Sequence, residues 1–262
     1  MNAPGRVPEA VRRALGSIAG FARATVVSRL SNGPTNQSWL IERDGARYVL
    51  RLDLPEARRL GLDRAAETNA QAIAATAGLT PGATHTDLSA GICLRPFEPG
   101  RSWQRADLRH PRRLERVAGL LRTLHHLPAD VPDFDPFAAM QRYAAQLGTE
   151  QARERVTRAR PLVEQLRTEP APRSLCHNDL VCENIVEGEQ LQLIDWEYAG
   201  MGDPLFDLAV VIQHHALEPE FSDHLLQSYF EGDVSPSARH RLELQCAFYQ
   251  ELLELWNLRI AP

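Results

Sequence analysis

The stretch 175–203 concentrates side chains that could do chemistry. Asp179 follows His177 in a His-Asn-Asp triplet, Asn184 comes shortly after it, and Asp195 ends an apolar run. Carboxylate and amide oxygens are the hard ligands that Mg²⁺ prefers, and a further carboxylate can accept a proton from a hydroxyl group or orient it. Metal ligands on one side and such a carboxylate on the other are what phosphoryl transfer requires.

A predicted β-hairpin positions these side chains. Apolar and polar residues alternate in 184–186 and again in 191–194, and the turn formers Glu-Gly-Glu at 187–189 lie between the two runs. Asn184 and Asp195 should therefore converge on one point. A His-x-Asp-x-x-x-x-Asn pattern is common by itself, whereas an apolar strand that ends in Asp at hairpin distance favours a catalytic interpretation.

The sequence that follows the hairpin resembles a known family. The segments 194–200 (IDWEYAG), 202–204 (GDP) and 206–209 (FDLA) are similar to the aminoglycoside phosphotransferase and choline kinase superfamily, and most similar to its choline, ethanolamine and thiamine kinase branch. The resemblance implies an α+β, protein-kinase-like fold of two lobes. It implies a nucleotide-binding N-terminal lobe at 1–97 and a helical C-terminal lobe at 98–262, which carries the catalytic loop and the acceptor site.

The resemblance also implies roles for individual side chains. Asp179 would be the catalytic base, Asn184 and Asp195 would be ligands of Mg²⁺, and His177 would brace the catalytic loop. The implied activity is transfer of the γ-phosphate of ATP to the hydroxyl of a small cationic alcohol. Protein kinases carry Arg where this chain has Asn178, so nothing in the sequence indicates control by an activation-loop phosphate.

A small polar segment, 31–38, lies between predicted strands of the N-terminal region. The predicted strands are 25–27, 38–41 and 47–52. Taken alone, the segment is a hairpin turn, but its hydroxyl and N–H groups can meet phosphate oxygens. Its place in the chain is similar to that of the superfamily's nucleotide-covering loop, so we expect Asn36 and Ser38 at the nucleotide.

Further nucleotide contacts are expected from the third strand and the hinge. Arg51 stands where protein kinases have a phosphate-binding Lys, and a guanidinium can bridge phosphate oxygens. Its expected partner is Glu67, in the first turns of an alanine-rich helix predicted at 62–74. A later apolar strand leads into a Pro/Gly turn that resembles the hinge between lobes. Main-chain groups of Phe97 and Glu98 would meet adenine there; a plain interdomain connector is the alternative.

The C-terminal region reads as helical. Helices are predicted from Leu108 to the His125-His126 pair and at 136–147, 151–166, 203–211 and 242–260. Asp203 fits an N-cap with Pro204 at the first helical position, and Asp207 is expected to anchor the catalytic loop by hydrogen bonds. For His125 and His126, packing or helix capping is expected rather than metal ligation.

The acceptor site is predicted from aromatic and acidic residues. A cationic amine is held by aromatic faces together with carboxylates, and Tyr198 and Glu197 lie directly after the metal-binding strand. Trp103 is a further expected wall, and Tyr249 and Trp256 could add others, with core packing as the alternative for each.

One departure from the family pattern concerns choline. Choline kinases usually place an acid near the position where this chain has His214, so thiamine or another cationic alcohol stays open and His214 could replace the acid. An aminoglycoside, a sugar or another amino alcohol is the alternative acceptor. The non-enzyme alternative is a nucleotide-binding pseudokinase, which would have lost Asp179, Asn184 or Asp195.

Composition limits the partners. The chain is 44% hydrophobic and 24% charged, with a net charge of −5 and Arg in place of any Lys. This balance, without a basic patch interleaved with aromatics, argues against nucleic acid. The cysteines at 93, 176, 182 and 246 form no metal-binding spacing and are expected to be reduced thiols. Without an apolar run of membrane-span or signal-peptide length, we expect a cytoplasmic protein whose partners are ATP and a small alcohol.

Overall fold

The computed structural model describes residues 7–168 and 172–260, and these divide into two compact units. The first unit contains the described residues up to 65 together with 81–99. The second unit contains 66–80 and the described residues from Gly100 onward. Antiparallel sheet dominates the first unit and helix the second, which confirms the mixed α+β class.

The predicted lobes, 1–97 and 98–262, remain a prediction. The segment 66–80, which the prediction placed in the N-terminal lobe, groups with the second unit. Residues 1–6, 169–171 and 261–262, including the start of the Pro-rich approach to the catalytic stretch, lie outside the described residues.

The first unit is built on an antiparallel sheet in the order β1-β2-β3-β5-β4. Its elements are α1 (Glu9–Ser17), β1 (Thr25–Asn32), β2 (Asn36–Arg43), β3 (Ala46–Asp53), α2 (Pro55–Arg59), β4 (His85–Asp87) and β5 (Ile92–Pro96). The predicted turn between β2 and β3 is confirmed, with Asp44 and Gly45 at positive φ as a two-residue hairpin demands. The expectation of a polar loop over 31–38 was wrong in extent, because the strands run further and leave only 33–35 as the turn.

One face of this sheet carries the hydrophobic core of the first unit. Trp39, Ile41, Leu50 and Leu94 are buried there together with Leu15 of α1. Side chains alternate between the two faces of a strand, so the polar residues at the intervening positions of β2 and β3 lie on the opposite face. The core therefore leaves that opposite face available for chemistry.

The second unit is mainly helical. Its helices are α3 (Arg64–Thr76, which begins at the end of the first unit), α4 (Pro111–His125), α5 (Pro136–Leu147), α6 (Glu150–Thr168), α7 (Pro204–His214), α8 (Pro219–Phe230) and α9 (Pro236–Ile260). Its strands are β6 (Arg101–Ser102), β7 (Ser174–Cys176), β8 (Ile185–Glu187), β9 (Leu191–Leu193) and β10 (Gly200–Gly202). The helix α9 packs against α6 and α7, and α4 packs against α8. Among the described residues, no helix has the length and apolar character that a membrane span needs.

The elements around the catalytic stretch largely match the predictions. β8 and β9 pair antiparallel, with Ile185 opposite Leu193, which confirms the hairpin. The side chain of Asp203 accepts from the backbone N–H of Leu205, and Pro204 occupies the first position of α7, so the predicted cap is confirmed. The prediction missed α8 and the last turn of α7.

Candidate active site

The hairpin brings Asn184 and Asp195 together. The backbone N–H of Ile194 donates to the carbonyl of Asn184 at 2.9 Å, which continues the β8–β9 pairing to the residue before Asp195. Asp195 itself has a φ of 64°, so the chain leaves the strand there in a left-handed conformation that Asp tolerates better than most residues. The sequence expectation that these two residues converge therefore has a structural basis.

Asn184 is also bonded directly to Asp179. Its Nδ2 donates to the backbone carbonyl of Asp179 at 2.9 Å and to Oδ2 of the same residue at 3.0 Å. Because the amide nitrogen is committed to Asp179, the amide oxygen points away from that carboxylate. Asn184 can thus offer an oxygen to a cation while it fixes the orientation of Asp179.

Negative charge accumulates at this point. Burial, followed by the charges of Asp195 and Glu197, raises the pKa of Asp179 from 3.8 to about 8, and the hydrogen bond from Asn184 opposes the rise. Carboxylates that repel one another in this way are stabilised by a bound cation. The donor set consists of oxygens, which fits Mg²⁺ better than a softer metal.

The raised pKa of Asp179 predicts how stability depends on pH in the metal-free protein. Asp179 keeps its proton up to about pH 8 in the folded state but only up to about pH 4 in the unfolded state. The contribution of Asp179 to the free energy of unfolding is therefore most favourable below pH 4 and is lost as the pH rises toward 8. In EDTA, the Tm of the D179N variant should therefore exceed that of the wild type at pH 8, and the difference should shrink toward pH 4. Thermal melts across this range test it; equal Tm values at pH 8 would contradict it.

Asp207 anchors the backbone of the catalytic loop. Its Oδ2 accepts from the backbone N–H of His177 at 2.9 Å, and its Oδ1 accepts from the backbone N–H of Asn178 at 2.6 Å. Asn178 has a φ of 65°, and these hydrogen bonds offset the cost of that conformation. The expected anchoring role of Asp207 is confirmed, and it sets the direction in which Asp179 leaves the loop.

His177 is enclosed by the same loop. The residue is 0% exposed, its Nε2 lies 3.0 Å from the carbonyl oxygen of Ile194, and its ring packs on Trp196 at 4.7 Å. Burial lowers the pKa of His177, so the ring is neutral and can donate one N–H to that carbonyl. His177 thereby links the loop before Asp179 to the strand before Asp195.

Tyr198 connects the catalytic loop to an aromatic group. Its backbone carbonyl accepts from Nδ2 of Asn178 at 2.9 Å, its hydroxyl is hydrogen-bonded to that of Tyr143, and its ring meets Phe134 edge-on at 5.7 Å. Tyr143 in turn packs on Trp256 at 5.5 Å. Burial raises the pKa of the Tyr198 hydroxyl, with contributions from the charges of Glu197 and Asp179. Aromatic rings and carboxylates therefore meet here.

Tyr249 and His214 form a second aromatic pair near Asp179. The Tyr249 hydroxyl lies 3.2 Å from Nδ1 of His214, and burial together with the charge of Asp179 raises the pKa of Tyr249. Burial and the charge of Arg105 lower the pKa of His214, against the opposing charge of Glu183. His214, near which an acid is expected from the resemblance to choline kinases, is thus a neutral imidazole.

Trp103 is buried against β8. It is 2% exposed, and its indole N–H donates at 3.1 Å to the side chain of Glu187, the last residue of that strand. The carboxylate of Glu187 also forms ion pairs with Arg101, Arg113 and Arg116. Burial of the Trp103 ring favours core packing, the alternative that the sequence left open, and its role as a wall of the acceptor site stays a prediction.

The predicted phosphate-binding residues of the first unit share one face of the sheet. Asn36 is opposite Asp53 and Ser38 is opposite Arg51 in the β2–β3 register, so all these side chains lie on the face away from the core. Arg51 Nε lies 3.4 Å from Oδ1 of Asp53. Glu67, its expected partner, is buried in α3, and pairing of Arg51 with Glu67 stays a prediction.

The expected hinge residues differ in what they can offer. The backbone N–H of Phe97 donates to the carbonyl of Arg47 at 3.0 Å, which extends the β3–β5 pairing. This N–H is therefore committed to the sheet and is not the donor that adenine would meet. Glu98 follows it and is exposed, so its main chain remains the expected adenine contact.

Comparison with known proteins identifies the family. The model of the phosphotransferase enzyme family matches residues 26–244. The chain belongs to this family. It is therefore an enzyme that transfers phosphate to an alcohol group, as the resemblance implied. The match includes both the sheet of the first unit and the whole catalytic stretch of the second.

Individual relatives agree with the family. This phosphotransferase is 32% identical over 224 residues to Protein LicA of Haemophilus influenzae, a match that covers 81% of this chain and 82% of the relative. It is 29% identical over 206 residues to the thiamine kinase of Shigella boydii, covering 73% of this chain and 67% of the relative. A choline/ethanolamine kinase family protein from Mesorhizobium loti has a similar structure, with a TM-score of 0.78, 29% identity and coverage of 95% of this chain and 84% of that one. The protein-kinase-like fold is thereby confirmed.

Several site residues of this phosphotransferase were missed by sequence reasoning. His125 and Tyr229 were not connected with Asp207, and Phe134 and Tyr143 were not connected with Tyr198. Each connection joins residues far apart in the chain, such as His125 and Tyr229, which are 104 positions apart. No local spacing could have revealed them.

Proposed function

We propose that this phosphotransferase uses ATP and Mg²⁺ to phosphorylate the hydroxyl of a small cationic alcohol. The observation that carries the proposal is the cluster of Asp179, Asn184 and Asp195 at the end of the hairpin. In it, an amide holds one carboxylate in place, while burial, followed by the charges of Asp195 and Glu197, raises the pKa of Asp179 to about 8. Such a cluster suits a cation and a reacting hydroxyl.

Asn184 and Asp195 would hold Mg²⁺. The ion, when bound, supplies positive charge that neutralises the phosphate oxygens. Arg51, supported by Glu67, would bind phosphate oxygens through its guanidinium. Asn36 and Ser38 lie on the same sheet face as Arg51, which supports their placement along the phosphates.

Asp179 would orient the acceptor hydroxyl and receive its proton. Its Oδ2 accepts from Asn184, so Oδ1 is the oxygen that would face the hydroxyl. Asp207 holds the backbone directly before this carboxylate, and the ring of His177 contacts the carbonyl of Ile194, which reduces the freedom of Asp179 before the substrate arrives. Positioning of this kind supplies a large share of the rate in phosphoryl transfer.

The cationic end of the acceptor would lie against Tyr198 and Glu197. The ring of Tyr198 offers a π face, Glu197 offers a charge, and both influence one another and Asp179 electrostatically. Tyr143 and Trp256 extend the aromatic surface. His214 is neutral and adds no charge to the acceptor site, whereas an acidic residue at this position would add negative charge.

A panel of acceptors tests the proposal. ATP consumption with Mg²⁺ would be measured with choline, ethanolamine, thiamine, kanamycin and 3,3-dimethylbutan-1-ol, which has the shape of choline without its charge. Turnover with a cationic alcohol but not with the neutral analogue supports the proposal. Turnover with kanamycin but with none of the small alcohols would instead support an aminoglycoside acceptor. Equal turnover with choline and its neutral analogue would contradict recognition of the cation.

Tyr198 is expected to control acceptor affinity. Replacing Tyr198 with Leu removes the π face and should raise the KM of the cationic acceptor by roughly 3- to 30-fold, with the KM of ATP little changed. Replacing it with Phe keeps the ring, loses only the hydroxyl bonded to Tyr143, and serves as the matched control. Equal effects of Leu and Phe would show that the ring face does not bind the cation.

We also place this activity in the cytoplasm. Among the described residues, the cysteines at 93, 176, 182 and 246 form no disulfide, as is usual in a reducing compartment, and ATP is available there. Fractionation of cells that express the tagged protein tests this placement, which recovery in a non-cytoplasmic fraction would contradict.

A further inference from the structure

The buried carboxylate of Asp207 has a further contact beyond the catalytic loop. Besides the backbone N–H groups of His177 and Asn178, the Nε2 atom of His125 lies 3.0 Å from its Oδ2. His125 ends α4, whereas Asp207 lies in the first turn of α7. Asp207 is 0% exposed and His125 7% exposed, so water does not compete for this contact.

The hydrogen-bond pattern defines which nitrogen of His125 carries a proton. A carboxylate accepts and does not donate, so Nε2 of His125 must carry the hydrogen that faces Asp207. In the neutral ring, Nδ1 is then an acceptor, and the hydroxyl of Tyr229 lies 2.8 Å from it. Burial, with the charge of Asp207 among its neighbours, raises the pKa of Tyr229, so the hydroxyl keeps its proton and can donate it.

A metal ion is a poorer explanation of this cluster. Ligand atoms of His125, Cys176 and Asp207 lie within 4.8 Å of one another. However, the oxygens of Asp207 already accept hydrogen bonds from the loop backbone, and His125 points its N–H at one of them. Burial and the charges of Asp207 and Asp203 raise the pKa of the Cys176 thiol, and a protonated thiol is a weak ligand. Hydrogen bonding therefore accounts for the cluster.

We propose that His125 and Tyr229 are positioning residues for the phosphoryl transfer. Tyr229 donates to His125, His125 donates to Asp207, and Asp207 holds the backbone of His177 and Asn178, directly before Asp179. The chain of contacts ties the packed helix pair α4 and α8 to the catalytic loop. The kinetic part of this proposal rests on the proposed function.

The variants follow from this geometry. His125→Leu removes the donor to Asp207, His125→Gln keeps an N–H donor on a side chain of similar reach, and Tyr229→Phe removes the hydroxyl that orients the ring. His126→Leu is the matched control: His126 is the next residue, is exposed, and its ring contacts the end of its own helix, with Nδ1 at 2.7 Å from the carbonyl of Arg122.

Kinetics at temperatures well below the Tm provide the first readout. We expect H125L to lower kcat by about 10- to 100-fold, the size of effect that small misplacement of a reacting group produces, with KM values for ATP and acceptor within about 2-fold of wild type. H125Q should recover part of the loss of kcat. The kcat of Y229F should lie between those of H125L and wild type, and the kcat of H126L should match wild type. Calorimetry should show that all the protein molecules in each variant bind ATP. This result distinguishes a mispositioned catalytic loop from a misfolded protein.

Two further measurements do not depend on turnover. In the wild type, NMR of the ¹⁵N-labelled ring should show the hydrogen of His125 on Nε2. Amide hydrogen exchange in a peptide over 174–184 should be faster in H125L and Y229F than in wild type and H126L. A hydrogen on Nδ1, unchanged exchange, or a normal kcat in H125L would overturn the proposal. If the exchange difference holds but the wild type phosphorylates no acceptor, the proposed function fails and the structural link from His125 to the loop stands.

Discussion

Replacing Asp179 with Asn is expected to lower kcat by about 10²- to 10⁴-fold, the range in which a positioned proton acceptor contributes. The substitution keeps the shape of the side chain and its contact with Asn184 but removes the group that would receive the hydroxyl proton. Because the proposed role of Asp179 is at the acceptor hydroxyl and not at the nucleotide, the affinity for ATP should change little. Steady-state kinetics and calorimetry measure the two quantities.

Stability serves as the control for D179N. The variant should melt at or above the wild-type temperature at neutral pH, because it removes a carboxylate whose pKa the fold raises to about 8. A large loss of kcat in a protein that is at least as stable as wild type would place the effect in the reaction. Turnover within about 3-fold of wild type would show that Asp179 has a different role.

Replacing Asp195 with Asn is expected to abolish detectable turnover, a loss of about 10³-fold or more, since a bound metal contributes several kcal/mol to charge stabilisation. Asn is preferred to Ala for this test because residue 195 has a φ of 64°, which Asn adopts more readily than Ala. Mg²⁺ should raise the Tm of the wild type with nucleotide present and should do so far less in D195N.

Glu183 offers the control for D195N. It is an exposed carboxylate in the same loop whose charge also reaches Asp179, but we assign it no ligand role. E183Q should keep turnover within a few-fold of wild type and keep the Mg²⁺-dependent rise in Tm. If E183Q and D195N lost activity equally, negative charge in general would matter and the assignment of Asp195 as a ligand would be wrong.

The sequence was most informative where the physics is local. The β8–β9 hairpin follows from alternating residues and a turn within ten positions, and the Asp203 cap follows from a polar residue next to Pro204. The β1–β2 turn was predicted too long, because small polar residues at 31–32 and 36–38 pair in the strands despite their modest β propensity. Cross-strand pairing outweighs propensity there.

The rest depends on contacts between distant segments. The hydrogen bond from His125 to Asp207 spans 82 positions and that from Trp103 to Glu187 spans 84. Trp103 had the aromatic character of a cation-binding wall, but its burial is decided by the helices and strands packed around it. Whether an aromatic residue faces a pocket or the core cannot be inferred from its type.

A single-turnover measurement tests most directly whether phosphoryl transfer takes place at the β8–β9 hairpin. Enzyme in excess would be mixed with Mg²⁺, the best acceptor from the panel and ATP labelled with ³²P in the γ position, and labelled acceptor would be followed over time for wild type, D179N, D195N and E183Q. We expect rapid transfer to the acceptor by wild type and E183Q, slow transfer by D179N and none by D195N. Transfer by D179N and D195N at the wild-type rate would contradict the placement of the reaction at the hairpin.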